Sequence, residues 1–314
     1  MKRICLFAGF NNNGILSDYV LFYLKNLASL SEIHYCSDCE LSANDYSRLS
    51  KICKSVRGAK HGKYDFGSWQ KLITELGYDY LSGFDELVLA NDSVFGPLCD
   101  LAAYFEAAGK EKECDFWGFT CHNHNKRQYL NSFFMVFKKN VFLDPAFKEV
   151  FSSVQKEKEY YDIVNKYEVP LTIKLQDKGF VTRTVIPFSA ADMRYEWKHY
   201  ICKGLPFIKI RNFTDNSSAP RDTVFDFEYF LKKNRIDYPA YLINNYLKDR
   251  NIDIHSDLSL EKQRKLYGIY KFKKFKNRFL RIHFCKGEKI LKLFGITILD
   301  TTVQFKTKIQ TLDI

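Results

Sequence analysis

A short polar cluster follows the apolar run Glu86–Ala90, which predicts a buried strand. The cluster is Asn91, Asp92 and Ser93, and a Gly-Pro pair then turns the chain. A carboxylate flanked by two short oxygen-bearing side chains offers hard ligands for a Mg²⁺ or Mn²⁺ ion that also holds a diphosphate. The same residues would equally cap a turn or the next helix, and the pattern alone leaves both interpretations open.

A second candidate site is the segment Tyr64–Trp69, a loop that opens a predicted helix. Ser68 is placed as an N-cap, Gly67 allows close approach of the backbone, and the free N–H groups of a helix start suit an anionic or nucleotide ligand. The aromatic side chains of the segment would stack on a base. In the alternative, Asp65 caps the helix and the aromatic rings fill the core, and the segment taken alone favours that alternative.

A third segment is a predicted strand at residues 115–119. Its residues Phe116, Trp117 and Gly118 would form an apolar platform for a sugar ring, although core packing is the commoner fate of such side chains. His122 and His124 follow at alternate positions and would share one face of a strand, as metal ligands can. Because no carboxylate accompanies them, we interpret this part as a loop.

The elements that must position these residues alternate between strands and helices. Strands are predicted at 3–8, 32–36, 54–57, 86–90, 115–119, 133–137 and 181–186, and helices at 16–30, 44–53, 68–76, 98–108 and 171–178. This order predicts an α/β fold with a mainly parallel sheet covered on both faces. Ligands bind such sheets at the carboxyl ends of the strands. Residues 195–250 are predicted to be helical.

The composition excludes several classes of protein. With 46% hydrophobic and 16% aromatic residues among 314, the chain has ample apolar surface for a folded core. No stretch approaches the roughly 20 apolar residues needed to span a bilayer. Nine cysteines without a signal peptide favour reduced thiols in the cytoplasm, and the single Cys36–Cys39 pair is half a zinc site at most.

The net charge of +11 belongs mostly to the C-terminal part, where residues 251–314 carry 14 Lys and Arg against 6 Asp and Glu. Within it, Lys271–Arg281 interleaves six basic residues with apolar residues at helical spacing. An amphipathic helix of this kind lies on an anionic membrane surface. It would alternatively pack on its own domain with the basic side outward. A nucleic-acid partner is not expected, because the rest of the chain is nearly neutral.

Together the segments resemble the rhamnan synthesis F family of bacterial cell-surface polysaccharide glycosyltransferases. The matching pieces are residues 4–10, 14–20, 64–69, 89–97, 115–118, 131–137, 167–179 and 204–209, so the resemblance covers roughly residues 3–215. It implies a GT-A-like fold and transfer of a sugar, often L-rhamnose from dTDP-L-rhamnose, to a lipid-linked glycan or polysaccharide. A non-catalytic carbohydrate-binding subunit is the alternative.

The resemblance also implies roles for single residues. Glu168 matches the general base of inverting enzymes, with Asp192 and Glu196 in reserve, although Glu168 would also suit a helix N-terminus. The family fold commonly has two carboxylates flanking one residue; here Asn91 precedes the single Asp92, which leaves a metal-independent enzyme open. The implied nucleotide-sugar site contains Phe7, Gly9, Phe10, Gly14, Arg57, Lys63, Asp65, Gly67, Ser68, Asn91, Asp92 and Ser93. Lys209 would face the phosphates or solvent.

Three regions follow from these interpretations. Residues 1–215 form the nucleotide-sugar glycosyltransferase domain, residues 216–260 a helical extension, and residues 261–314 a basic amphipathic tail. An enzyme with a lipid-linked acceptor and such a tail is expected at the inner face of the cell membrane.

Overall fold

The computed structural model describes residues 1–10, 14–111, 113–186, 196–214 and 224–254, together with the backbone of four strands between 280 and 311. Asp192 and most of Lys271–Arg281 therefore lie outside the described residues. No helix within these ranges has both the length and the apolar character that crossing a bilayer requires.

The strands are β1 (Arg3–Gly9), β2 (Glu32–Ser37), β3 (Ser55–Gly58), β4 (Glu86–Asn91), β5 (Val94–Phe95), β6 (Phe116–Gly118), β7 (Cys121–His124), β8 (Arg127–Leu130), β9 (Phe134–Lys138), β10 (Thr182–Thr184), β11 (Ile208–Lys209), β12 (Leu280–Cys285), β13 (Glu288–Leu293), β14 (Ile296–Leu299) and β15 (Ile309–Thr311). The helices are α1 (Asp18–Ala28), α2 (Ala43–Ser50), α3 (Tyr64–Leu81), α4 (Ala102–Lys110), α5 (Lys139–Phe142), α6 (Pro145–Ser152), α7 (Tyr160–Ile163), α8 (Val169–Asp177), α9 (Trp197–Cys202), α10 (Arg211–Thr214), α11 (Phe227–Lys233) and α12 (Tyr241–Lys248). A π-helical turn, Val164–Glu168, joins α7 to α8.

Eight strands form the main sheet in the order β15-β10-β6-β9-β4-β1-β2-β3. All neighbours are parallel except β9, which runs antiparallel to both β4 and β6. The central strands are continuous apolar runs because both faces of the sheet are covered by helices. The predicted α/β fold, with a mainly parallel sheet flanked by helices, is confirmed.

The two faces of the sheet carry separate cores. On β1, Cys5 and Phe7 point into the core under α1, α4 and α12, whereas Ile4, Leu6 and Ala8 point into the core under α3, α6 and α8. This alternation is the period of two expected for a strand. Both cores hold β1 rigidly, so its carboxyl end is a fixed reference point for a site.

Three features differ from the sequence expectations. The segment around His122 forms a β7–β8 hairpin rather than a loop. The prediction of a helix over Lys271–Arg281 is wrong for its last two residues. Leu280 and Arg281 belong to β12, which pairs antiparallel with β13. The helix expected from Ser68 begins at Tyr64, and Ser68 lies buried inside it rather than at its N-cap.

The early start of α3 has a physical cause in the preceding loop. The Asp38 carboxylate, at the carboxyl end of β2, accepts hydrogen bonds from the N–H groups of His61 at 2.6 Å, Gly62 at 2.7 Å and Tyr64 at 3.3 Å. A side chain remote in sequence thus satisfies N–H groups that a local N-cap would otherwise serve.

The end of β1 has no room for a side chain at Gly9. A Cβ built there would lie 2.0 Å from the Tyr35 hydroxyl oxygen. Gly9→Ala is expected to lower the free energy of unfolding by about 1–3 kcal/mol, because overpacking forces neighbours off their preferred rotamers. Urea denaturation would measure it, with Gly109→Ala as control, since a Cβ at Gly109 meets only Met1 at 3.5 Å. An equally small effect of both substitutions would contradict the prediction.

Candidate active site

Asp92 links the carboxyl ends of two central strands. Its Oδ2 accepts a 2.7 Å hydrogen bond from the N–H of Phe10, the residue after β1, while Asp92 itself follows β4. The Tyr19 hydroxyl of α1 donates to the Asp92 carbonyl oxygen at 2.7 Å. Asp92 keeps 9% of its surface exposed beside the half-exposed Phe10 ring. Asp92 is therefore a buried residue that joins the carboxyl ends of β1 and β4.

Asn91 connects β4 to the start of α3. Its Nδ2 donates to Asp65 Oδ2 at 2.7 Å, and its Oδ1 accepts from the backbone N–H and the hydroxyl of Ser93 at 3.1 and 2.7 Å. The amide orientation is thus set on both sides. Asp65 is held against the strand end, close enough to Asp92 that its negative charge raises the pKa of that carboxyl.

Glu168 and Lys209 bring a second charged pair to the same place. Glu168 is buried where the π-helical turn meets α8, and it accepts hydrogen bonds from Ser132 N–H at 3.3 Å and Ser132 hydroxyl at 3.0 Å. Lys209 lies opposite Val94 in the β5–β11 pair, with its Nζ 4.0 Å from the centre of the Phe133 ring. The site therefore combines three carboxylates with one partly buried lysine.

The charges of this group act on one another. The pKa of Asp65 is raised to about 6, first by burial and then by the Glu168 charge, while the Lys209 charge lowers it. Burial also raises the pKa of Glu168, against the Ser132 hydrogen bonds and the Lys209 charge. Burial lowers the pKa of Lys209 to about 8, although both carboxylates favour its charged form. Acid and base groups are thus poised on either side of neutral pH, as proton transfer requires.

The pKa of the Asp92 carboxyl is strongly raised, and this shift gives a test of its burial. Loss of hydration raises its pKa to about 8, despite the Phe10 N–H bond. The folded state therefore keeps a proton that the unfolded state releases near pH 4, and stability falls as pH rises from about 4 to 8. Asp92→Asn keeps the shape and cannot ionise. In the absence of nucleotide and metal, we compare the free energies of unfolding of Asp92→Asn and wild type. The difference in favour of the variant should increase by on the order of 2–4 kcal/mol between pH 5 and pH 8.

Urea denaturation across that pH range measures the difference, with the exposed Asp79→Asn as the matched control. A pH-independent difference for Asp92→Asn would contradict the buried, protonated state of Asp92.

The loop before α3 brings His61, a residue that the sequence analysis did not single out, next to Ser68. His61 Nε2 lies 3.1 Å from Ser68 Oγ, and its Nδ1 accepts from the Lys63 N–H at 3.1 Å. Burial lowers the pKa of His61, which favours the neutral ring that this bonding needs. Tyr64 follows with φ of 56°, a left-handed conformation that is costly for a tyrosine. The sequence feature that could have indicated this loop is Asp38 just after β2, since its carboxylate binds the N–H groups of His61 and Gly62.

Two exposed tyrosine rings, Tyr64 and Tyr160, lie beside the charged group, and we call this pair the aromatic rim. Tyr64 and Tyr160 are 42% and 39% exposed, their ring centres are 6.0 Å apart, and the Arg211 guanidinium lies 4.7 Å from the centre of the Tyr160 ring. The charges of Glu168 and Asp65 both raise the pKa of Tyr160, after the larger effect of burial, so the rim adjoins the carboxylates. Aromatic faces next to buried polar groups are typical of ligand sites.

The family of the chain follows from a sequence profile. The profile described as Rhamnan synthesis protein F matches residues 33–271, most of the chain. The chain belongs to this family. The match runs beyond residue 215 and includes α11 and α12.

Several solved structures resemble the chain at low similarity. They include the mannosyltransferase Ktr4p from S. cerevisiae (5% identity, 55% of this chain, 65% of that chain, TM-score 0.36) and a Mn/GDP form of core-mannan synthase A from Aspergillus fumigatus (9%, 56%, 69%, 0.32). A third is a glycosyltransferase that glycosylates the major capsid of PBCV-1 (8%, 67%, 94%, 0.37). The chain thus spans less than two thirds of the length of the yeast protein. Similarity at this level does not identify the substrate of this chain. No curated protein matches.

The sugar platform expected for the rhamnan synthesis F protein is corrected by the structure. Phe116 and Trp117 are 1% and 2% exposed, the first stacked on Phe137 and the second packed on Phe105. Gly118 lies beside the backbone of Phe134. These side chains fill the core and offer no face to a sugar, because β6 is an interior strand of the sheet.

Other predicted residues lie apart from the carboxylate group. The Phe7 ring is buried between Tyr23 and Tyr35, so its side chain cannot reach a ligand. Arg57 pairs with Glu75 at 2.9 Å on the surface, and Lys63 bonds the side chain of Gln70 at 2.9 Å. The remaining predicted residues stand as follows: Gly14 is exposed, Gly67 packs on Lys63 and His61, Glu196 precedes α9, and Asp192 is outside the described residues.

A divalent ion would find two carboxylates here. Asp92 and Asp65 lie close together, and each accepts a hydrogen bond through its Oδ2, from the Phe10 N–H and from Asn91 Nδ2 respectively. Within the described ranges, no group of three or more His, Cys, Asp or Glu side chains could hold a metal by itself. Two carboxylates suffice for Mg²⁺ when substrate phosphates and water complete the coordination, so the residues fit an ion that arrives with a diphosphate.

Proposed function

We propose that this rhamnan synthesis F protein is a glycosyltransferase that moves a sugar from a nucleotide-sugar donor to a polysaccharide or lipid-linked glycan. One observation carries the proposal: Glu168, Asp65, Asp92 and Lys209 meet at the carboxyl ends of β1 and β4, where α/β sheets bind ligands. Family membership supports the same activity. The L-rhamnose donor dTDP-L-rhamnose is the first candidate, as the family resemblance implies.

In the proposed reaction Glu168 is the general base. Its carboxylate takes the proton of an acceptor hydroxyl, whose oxygen forms a bond to the anomeric carbon of the donor. The bond from that carbon to the diphosphate breaks, and the bonding electrons leave with the nucleoside diphosphate. A single displacement of this kind inverts the anomeric configuration. Ser132 holds the Glu168 carboxylate by two hydrogen bonds and thereby fixes the direction of the basic oxygen.

The other charged groups support this base. The positive charge of Lys209 lowers the pKa values of Glu168 and Asp65. It therefore favours the ionised form of Glu168, which a general base needs. Asn91 holds Asp65 in place. A Mg²⁺ or Mn²⁺ ion, when bound, would be held by Asp92 and Asp65 and would neutralise the diphosphate.

The acceptor side is proposed to be the aromatic rim of Tyr64 and Tyr160, because these exposed rings adjoin Glu168 and replace the buried platform of β6. Contact with an anionic membrane through Lys271–Arg281 remains a prediction from its composition, which would bring a lipid-linked acceptor close.

The decisive experiment incubates the full chain with dTDP-L-rhamnose and other nucleotide sugars, with and without Mn²⁺, on a lipid-linked glycan acceptor. Acceptor-dependent release of nucleoside diphosphate, with a product of inverted anomeric configuration by NMR, supports the proposal. Donor binding without turnover would favour the non-catalytic subunit, and absence of donor binding would overturn the proposal.

A further inference from the structure

Arg250 comes from the region after residue 215, yet it reaches the donor side of the candidate active site. It follows α12, and its backbone N–H donates to the Leu247 carbonyl at 3.2 Å. Its guanidinium lies over the face of the Tyr246 ring, 3.8 Å from the ring centre. The side chain is therefore held by stacking as well as by the backbone.

The Tyr246 ring connects Arg250 to the strand ends. It packs edge-on against Tyr19 at 5.3 Å and against Phe95 at 5.2 Å between ring centres. Tyr19 in turn donates its hydroxyl to the Asp92 carbonyl at 2.7 Å. Three buried aromatic rings thus fix the guanidinium relative to Asp92 and Phe10, and the packing leaves little freedom for α12 to move away.

The electrostatics agree with this placement. The positive charge of Arg250 lowers the pKa values of Asp92, Tyr19 and Tyr246, although burial raises all three more strongly. These effects agree with the position that the contacts of Tyr246 and Tyr19 give to the guanidinium, near the ends of β1 and β4.

A cation in this position matches a diphosphate. A guanidinium stacked on an aromatic ring keeps its N–H groups in its own plane, where they can bind two phosphate oxygens side by side. We propose that Arg250 binds the diphosphate of the donor and stabilises the charge that develops when it leaves; this inference rests on the proposed function. The electrons of the breaking bond between the anomeric carbon and the diphosphate oxygen stay on that oxygen, beside the guanidinium.

The test measures equilibrium binding to the full chain by calorimetry. The probes are dTDP, UDP, GDP and CDP, each compared with its nucleoside. Arg250→Gln is expected to weaken binding of the preferred nucleoside diphosphate by about 10- to 100-fold, because charge-assisted paired hydrogen bonds are lost. Nucleoside affinity should change less than about 2-fold, since the base and ribose do not contact Arg250. Arg235→Gln is the matched control, an exposed arginine of the same region.

The outcomes separate the two proposals. If wild type binds no nucleoside diphosphate, the proposed function and the role of Arg250 are both overturned. If wild type and Arg250→Gln bind the same diphosphate equally, or if the variant loses nucleoside affinity to the same extent, only the role of Arg250 is overturned. Should the glutamine variant not fold, Arg250→Lys takes its place. It keeps the charge without the planar fork, and about 3- to 10-fold weaker diphosphate binding supports the inference, whereas unchanged binding contradicts it.

Discussion

Glu168→Gln is expected to reduce turnover by about 10²- to 10⁴-fold, the usual contribution of a general base. Glutamine keeps the size of the side chain, and its Oε1 can still accept a hydrogen bond from Ser132 in place of the carboxylate. It cannot take a proton from an acceptor hydroxyl. The loss should therefore fall on kcat, while donor affinity stays within about 3-fold of wild type.

The measurement is initial-rate release of nucleoside diphosphate with acceptor present, together with calorimetric donor binding. Glu149→Gln is the matched control, because Glu149 pairs with Lys174 on the surface at 2.7 Å. Turnover of Glu168→Gln close to that of wild type would remove Glu168 from the chemistry. A parallel loss of donor binding would instead indicate a structural role for the Glu168–Ser132 contact.

The central sheet could be predicted because burial on both faces leaves a direct trace in the sequence. Strands such as β1 and β4 are continuous apolar runs, and the polar residues that follow them must emerge at one edge of a parallel sheet. The family resemblance predicts Asp92 and Phe10 in one nucleotide-sugar site, and the structure joins them by a hydrogen bond. Glu168 was placed by its position before a helix and a strand, and α8 and β10 follow it.

The rest of the site depends on pairing between distant segments. Lys209 lies on a two-residue strand, β11, which pairs with the equally short β5. No periodicity exists in two residues, so the sequence leaves it open whether that lysine faces solvent or the carboxylates. Arg250 is placed by the packing of α12 on α1, which depends on aromatic contacts such as Tyr246 with Tyr19. Such positions follow from tertiary structure alone.

The mistaken sugar platform shows the opposite failure. Phe116 and Trp117 have the chemistry of a carbohydrate site, but strand β6 lies between β9 and β10, with helices over both faces. Residue type predicts what a side chain can bind, whereas exposure decides whether it binds anything. Tyr64 and Tyr160 have the same chemistry and are exposed beside Glu168.

Lys209→Met is expected to change the pH profile of the reaction as well as its rate. Burial lowers the pKa of Lys209 to about 8, so in wild type its charge is lost as pH rises through that value. Lys209 also lowers the pKa of Glu168, whose own shift upward comes first from burial. The wild-type profile should therefore be bell-shaped, rising as Glu168 loses its proton and falling near pH 8 as Lys209 becomes neutral.

Methionine keeps the length and apolar stem of the side chain without its charge. Removing the cation raises the pKa of Glu168, so the rising limb should move to higher pH and activity on that limb should fall. The falling limb near pH 8 should disappear. Lys209→Arg keeps a charge at every accessible pH, so it should lose the falling limb while the rising limb stays in place.

Rates measured from pH 5 to pH 10 would decide the matter, with Lys203→Met as control because Lys203 is exposed at the end of α9. A uniform fall in rate with both limbs unchanged would mean that Lys209 acts by packing on Phe133 rather than by its charge. A rising limb that moves only in the methionine variant would tie the proton affinity of Glu168 to the cation on β11, a coupling that a purely structural lysine cannot produce.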